Sequence, residues 1–313
     1  MNWNRKHLLS LEDLDSSEIM KILETTKVFA EVLDRPIKKV APLRGLTVAN
    51  LFFENSTRTR ISFELAEKRL SADTISFSAA TSSVKKGETL KDTVRNLEAM
   101  KIDMIVIRHS SSGVPYFLTR FSSSTVINAG DGQHEHPTQG LLDIYTMWEK
   151  YKKIKGLRVV LMGDAKHSRV IRSNIWGLTK LGASVAVCGP PTLLPVELEK
   201  MGVEVYTDTD KALDGADVVN VMRIQLERQS SGLLPSLREY TSLFGITKDR
   251  LKRLNKNYTI MHPGPINRGI ELADDVADCD RSVILEQVTN GVAVRMAVLY
   301  LLAGGEGRID RQD

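Results

Sequence analysis

A chain of 313 residues is long enough for two ordinary domains, since single cores stop growing near roughly 250–300 residues. Hydrophobic residues make up 42% and charged residues 26%, usage that excludes a mainly disordered or collagen-like chain. Lysine and arginine number 43 against 39 acidic residues, a surplus too diffuse to argue for a nucleic-acid partner, so any anion must be met locally.

Along residues 11–33, Ile19, Ile22, Leu23, Val28 and Val32 recur at helical spacing, with Asp15 or Ser16 as the N-cap. Residues 45–53 form a short apolar run that reads as a buried strand, followed directly by a loop and a helix. Runs at 73–77, 103–108 and 125–129 repeat the alternation, which predicts βαβ units and a parallel sheet. A helix over about 138–151 leads into the basic, glycine-ended stretch 152–156, a sensible domain boundary. The alternation then restarts, with strands expected at 157–162, 184–188, 203–206, 218–222 and 258–261. The apolar run 292–302 is too short to span a bilayer and reads as a buried helix. The expected fold is α/β: two doubly wound parallel-sheet domains joined by helices. The boundaries are 1–145 for the first domain, 146–285 for the second, and a C-terminal helix over 286–313 packing back on the first.

Only Cys188 and Cys279 occur, outside any C-x-x-C spacing, so neither a disulfide framework nor a zinc site is suggested and a reducing cytoplasm fits. The first residues show neither a long apolar run nor a cleavage site, so no leader is expected, and no run approaches the ~20 apolar residues of a membrane span. A soluble cytoplasmic protein without a membrane partner is expected.

The most informative segment runs from Phe52 through Glu54, Ser56, Thr57, Arg58, Thr59 and Arg60 to Glu64, where a strand ends and a helix begins. Helix N-termini present unpaired N–H groups and about half a positive charge, so they bind anions. Three hydroxyls and two guanidiniums are added here, making a phosphate cradle without glycines. Ser56 or Thr57 also suits plain capping, with Arg58 and Arg60 in solvent. Two arginines in a first turn, however, oppose the dipole unless an anion is present. Arg108 closes the strand that precedes it, at the carboxyl edge where open α/β sheets bind ligands, and a solvated strand end is the alternative. His136 and Gln139, three apart at a helix start, can point into one pocket. His134-Glu135-His136 has a faint metal-ligand spacing with no cysteine or third histidine to complete it, so no metal is expected. His109 and His134 read as structural histidines and Asp131 as a turn residue.

Ser56-Thr57-Arg58-Thr59-Arg60 resembles the carbamoyl-phosphate signature of the transcarbamoylase family, and His136-Pro137-Thr138-Gln139 resembles its second signature. Ser82 to Glu88, Arg108-His109, Gly163-Asp164, Arg169, Arg223-Ile224-Gln225 and His262-Pro263-Gly264-Pro265 follow in the family's order over nearly the whole chain. The Ser-Met-Gly loop and His-Cys-Leu-Pro segment of the ornithine branch are not found, so the resemblance is to the aspartate branch. It implies carbamoyl transfer from carbamoyl phosphate to the amino group of L-aspartate, in de novo pyrimidine biosynthesis and without a cofactor. The alternatives are a transcarbamoylase acting on another amino acid such as ornithine, and a non-catalytic phosphate-binding scaffold.

By resemblance, Ser56, Thr57, Arg58, Thr59, Arg108, His136, Gln139, Gly264, Pro265 and Ser82 bind carbamoyl phosphate. Lys86, Arg169, Arg223 and Gln225 bind aspartate. Arg58, Thr59, Lys86, Arg108 and His136 carry catalysis, with His136, Thr59 and Arg108 donating to the developing oxyanion. Two carboxylates call for two guanidinium forks, which Arg169 and Arg223 supply, while Arg172 and Arg228 as surface residues would need no explanation. Residues 82–88 would read from composition as a solvated loop. The resemblance instead sends Ser82 and Lys86 into the neighbouring subunit's site in a homotrimer, and makes Glu54 a partner of second-domain arginines. It leaves open whether regulatory chains or another pyrimidine-pathway enzyme dock. Gly264 occupies a position that varies in the family and removes a wall of the pocket, while the turn's backbone role is expected to survive. Gly163-Asp164 follows its strand without the G-x-G-x-x-G fingerprint, so dinucleotide binding is not expected.

Overall fold

Asp15 begins the first helix by a capping box: its carboxylate accepts from Glu18 N at 2.9 Å, and Glu18 Oε2 accepts from Asp15 N at 2.8 Å. Helix α1 (Ser16–Leu33) then buries Ile19, Ile22, Leu23 and Val32 at the spacing that the sequence shows. The computed structural model describes residues 3–78, 88–225, 233, 236–253 and 258–305. The chain divides into two compact units, residues 1–141 with 290–313, and residues 142–289.

In the first unit α1 is followed by β1 (Thr47–Phe52), α2 (Thr57–Arg69), β2 (Asp73–Ser78), α3 (Leu90–Ala99), β3 (Met104–His109), α4 (Val114–Leu118) and β4 (Thr125–Asp131). These strands form a parallel sheet of order β2-β1-β3-β4. Helix α5 (Pro137–Tyr151) carries the chain into the second unit. There β5 (Arg158–Met162), α6 (Arg169–Lys180), β6 (Ser184–Cys188), β7 (Glu204–Tyr206), α7 (Thr209–Leu213), β8 (Val218–Val221), α8 (Leu237–Phe244), α9 (Lys248–Arg253), β9 (Thr259–Met261) and α10 (Asp274–Ala277) follow. Their parallel sheet has the order β7-β6-β5-β8-β9. Helix α11 (Ile284–Leu302) ends the described fold.

The inner strands are apolar on both faces because helices cover both sides of a parallel sheet, while the edge strands β2 and β7 are more exposed. Val159, Val160, Leu161, Val218, Val219 and Val221 are all fully buried. In the first unit Ala49, Leu51, Ile105, Ile107 and Val126 pack against Val94 and Leu97 of α3 and Leu118 of α4. The C-terminal part of α11 belongs to this unit, where Arg295 lies 5.0 Å over the Phe63 ring and donates to Ser62 Oγ at 2.9 Å. Phe29 and Tyr300 meet edge to face nearby, at 5.5 Å. Cys188 ends β6 in the core, and burial pushes its thiol up to about 12, which leaves it protonated and inert. No helix among the described residues is long and apolar enough to cross a membrane.

Each sheet has one place where successive connections leave in opposite directions. In the first it lies between β1 and β3, and in the second between β5 and β8. Open α/β sheets bind ligands outside the carboxyl ends of their strands at such switch points.

Candidate active site

The first switch point is built by the loops after β1 and β3. Phe52 and Arg108 are register partners at the two strand ends, and Phe53 N donates to Arg108 O at 2.9 Å. Three residues on, Ser56 occupies the N-cap of α2, yet its side chain makes no capping hydrogen bond. Simple capping therefore does not account for this hydroxyl. Thr57 and Arg58 are exposed in the first turn, Thr59 is buried, and no acidic residue occupies that turn. Arg60 faces its own helix, with Nε 3.7 Å from Glu64 Oε1. Arg108 is held from two sides: Nη1 donates to Ala129 O on β4 at 3.2 Å, and Nη2 donates to Glu54 Oε1 at 2.7 Å. The Glu54 pairing within one unit was not expected from the sequence.

Beyond β4 the chain turns into α5. His136 immediately precedes that helix and is buried, and its carbonyl accepts from Gln139 N at 2.9 Å and Gly140 N at 3.1 Å. Pro137 opens the helix, where its missing N–H costs nothing. Gln139 is half-buried in the same first turn. Asp131 is more than the turn residue expected from sequence. It is the buried last residue of β4, and its carboxylate accepts from Gly113 N at 2.7 Å, Asn128 Nδ2 at 2.8 Å and Glu135 N at 3.2 Å. It thereby fixes the turn that delivers His136. Asp131 also meets His134 Nδ1 at 3.1 Å and raises that histidine's pKa. His109 accepts from Ser111 N at 2.9 Å through Nδ1, and burial lowers its pKa.

The second switch point gathers the other predicted residues. Gly163 follows β5 at φ +120°, and a Cβ there would lie 2.9 Å from Met222 O, so the strand ends approach only because this residue is glycine. Asp164, fully buried, accepts from His167 N at 3.1 Å and meets His167 Nδ1 at 2.9 Å. Ser168 caps α6 by accepting from Ile171 N at 3.3 Å, and Arg169 is the buried first residue of the helix. Arg223 leaves the end of β8 half-buried, with Ile224 in the core and Gln225 half-buried beyond it. After β9, the neighbour of β8, comes the His262-Pro263-Gly264-Pro265 turn. Gly264 has φ +66° and donates its N–H to His262 Nδ1 at 2.7 Å. Asn267 Nδ2, just past the turn, donates to Ile224 O at 3.3 Å, which ties this loop to the arginine loop. Arg169 and Arg223 thus come from loops on opposite sides of the switch point, with the proline turn on the next strand.

The model of the aspartate/ornithine carbamoyltransferase carbamoyl-phosphate-binding domain matches residues 6–149, and that of the aspartate/ornithine-binding domain matches residues 155–302. The chain belongs to the aspartate/ornithine carbamoyltransferase family. It is 61% identical to the aspartate carbamoyltransferase catalytic subunit of Cytophaga hutchinsonii over 301 residues, 96% of this chain and 98% of that protein. Among solved structures, ornithine carbamoyltransferase from Pyrococcus furiosus superposes with a TM-score of 0.85 at 33% identity, covering 97% of this chain and 99% of that one. Aspartate transcarbamoylase from Trypanosoma cruzi, solved with carbamoyl phosphate, gives 0.85 at 29% identity over 95% and 96%. Both branches of the carbamoyltransferases therefore share this fold.

Of the residues that family resemblance singles out, Ser82, Lys86 and Arg228 lie outside the described residues. Glu12, His134 and Glu135 bring potential ligand atoms within 4.8 Å of one another, a grouping that omits His136. The Glu135 carboxylate already accepts from Leu11 N at 2.9 Å and Glu12 N at 3.1 Å, which fastens the N-terminal segment to the β4–α5 turn. The sequence reading missed the residues that brace the second cluster. Asp143, fully buried on α5, accepts from Asn174 Nδ2 at 2.8 Å, Asn220 Nδ2 at 3.1 Å and Gln287 Nε2 at 2.8 Å. The sequence gives little signal for them, because α5, α6 and α11 each carry other polar residues and only the apolar strand around Asn220 makes its amide stand out.

Proposed function

We infer that the protein is an aspartate carbamoyltransferase catalytic chain. It transfers the carbamoyl group of carbamoyl phosphate to the amino group of L-aspartate, giving N-carbamoyl-L-aspartate and phosphate in de novo pyrimidine biosynthesis, in the cytoplasm and without a cofactor. The observation that carries the choice of aspartate is the arginine pair Arg169 and Arg223, from loops on the two sides of the second switch point. Two guanidinium forks suit the two carboxylates of aspartate, whereas the cationic side chain of ornithine would call for acids there.

In this reading Ser56, Thr57, Arg58 and Thr59 cradle the phosphate at the α2 N-terminus. Thr59, Arg108 and His136 donate to the carbonyl oxygen as negative charge grows on it, Gln139 meets the carbamoyl amide, and the Gly264 and Pro265 carbonyls accept from the carbamoyl NH2 or the amine. The amine lone pair forms the new C–N bond, the C–O bond to phosphate breaks with its electrons on the leaving oxygen, and phosphate takes the amine proton. Gln225 assists Arg223 on aspartate. Ser82 and Lys86 come from the neighbouring chain of a homotrimer, so each site draws on two subunits.

The purified protein given carbamoyl phosphate is expected to carbamoylate L-aspartate and ignore L-ornithine. Equal or faster reaction with ornithine would overturn the assignment. Tight carbamoyl-phosphate binding with no turnover of either amine would favour a scaffold.

A further inference from the structure

We propose that Asp143, acting through Gln287, is a positioning residue that fixes the amine-binding half of the site. The proposal rests on the carbamoyltransferase reading above and assigns a duty to residues that touch neither substrate in it. Asp143 contacts three elements, each tied to a different part of the second cluster. Asn174 lies on α6, five residues after Arg169. Asn220 lies on β8, three residues before Arg223. Gln287 Nε2 donates to Asp143 Oδ1, while Gln287 Oε1 accepts from His262 N at 2.9 Å, at the first residue of the proline turn.

The network has a direction. Three amide N–H groups converge on one side chain, which suits an acceptor-only carboxylate. Asn174 Oδ1 and Asn220 Oδ1 are buried and have no hydrogen-bond partner among the described residues, so both amides present their donors to Asp143 at the cost of their acceptors. Gln287 can accept from His262 N only while its own NH2 group points at Asp143. A donor placed at Asp143 would therefore turn the Gln287 amide and set its NH2 against the His262 N–H. His262 transmits the constraint, because Nδ1 accepts from Gly264 N and so leaves the ring proton on Nε2, 3.3 Å from Glu271 Oε1. Glu271 Oε1 also accepts from Asn267 N at 2.6 Å, which closes the loop around the turn.

This directionality yields a test by hydrogen-bond exchange. Asp143→Asn keeps one acceptor oxygen and so sets its new NH2 either against the Gln287 amide or against the Asn174 and Asn220 amides, and Gln287→Glu aims a carboxylate at Asp143, so each single change opposes like groups. In the double variant the new amide at 143 donates to the new carboxylate at 287, whose second oxygen still accepts from His262 N. Each single variant is expected to lose about tenfold or more in kcat/KM for aspartate, the scale of one hydrogen bond to a charged group. Carbamoyl-phosphate binding by calorimetry should weaken less than the aspartate reaction does, because of its proposed contacts only the Gly264 and Pro265 carbonyls lie on this turn, and His262 amide hydrogen exchange in the full chain should accelerate. The double variant should return to within about threefold of the parent, with slow exchange restored. Parental activity in the singles, a folded double variant no better than either single, or unchanged His262 exchange would overturn the proposal. If a single variant fails to fold, the double variant decides alone by the same criteria. A parent that leaves aspartate unreacted would defeat the functional reading, and the His262 exchange pattern would still decide this one.

Discussion

The two units use one architecture, and their switch points are built differently. In the first, the switch point between β1 and β3 opens onto a helix N-terminus with exposed Thr57 and Arg58, and one ion pair, Arg108 with Glu54, organises its floor. In the second, the switch point between β5 and β8 is backed by a fully buried carboxylate and three amides. The difference follows from the ligands proposed for them. A phosphate group is compact and nearly isotropic, so backbone N–H groups and adaptable cations satisfy it from many directions. An amino acid with two carboxylates needs two cations at a fixed separation, which demands a rigid frame behind them.

The largest effect tests whether the first region is complete within one chain. The Arg58→Ala and Lys86→Ala proteins should each be nearly inactive. Mixed in equal amounts and reassembled, about a quarter of the sites should draw both residues intact, so activity should reappear at roughly a quarter of the parental level. No recovery despite proven subunit exchange would contradict a shared site. His136→Ala comes next: it should fold normally by circular dichroism and lose about 10²–10³ in kcat, the usual cost of one oxyanion donor. A trapped carbamoyl-enzyme in any variant would contradict direct attack by the amine.

A smaller effect sharpens the contrast in buried carboxylates. Glu67 on α2 is fully buried and accepts from Asn50 Nδ2 at 3.0 and 2.8 Å, and burial pushes its carboxyl up from 4.5 to about 7 against the pull of that amide. A raised carboxyl pKa means that the folded state holds a proton the unfolded state has released. Its contribution is whole below 4.5 and is lost as pH rises to about 7. Glu67→Gln should therefore flatten the decline in stability between pH 4.5 and about pH 7 by on the order of 3 kcal/mol, read by urea unfolding. A parental slope in the variant would show that Glu67 is not the group responsible. Smallest is Asp15→Ala, which removes the α1 capping box and should lower stability by about 1 kcal/mol while leaving kcat unchanged.

Much of the fold was legible because buried parallel strands announce themselves as short apolar runs. The runs at 103–108 and 184–188, for instance, became β3 (Met104–His109) and β6 (Ser184–Cys188) with ends moved by no more than a residue. Arg58 and Arg108 could be placed at strand ends for a related reason, since anion-binding residue types collect there, whereas Lys86, Arg169 and Arg223 were singled out through the family resemblance. What escaped was polarity paired over long range. Asp143 and Gln287 are 144 residues apart, and in sequence each is one polar residue among several in its helix, with nothing local to mark the pairing. Asp131 escaped similarly, because a carboxylate after glycine reads as a turn until the donors that converge on it are known. Glu54 and Arg108 are 54 residues apart and gave no local sign of their pairing.

The central claim is the division of labour between the two regions, and calorimetry on two variants tests it most directly. Arg58→Ala should show no measurable carbamoyl-phosphate binding. Arg223→Ala should bind carbamoyl phosphate as the parent does, while its KM for aspartate rises about 10-fold to 150-fold, the range of a charged hydrogen bond. Loss of carbamoyl-phosphate binding in both variants, or an unchanged aspartate KM in Arg223→Ala, would contradict the account.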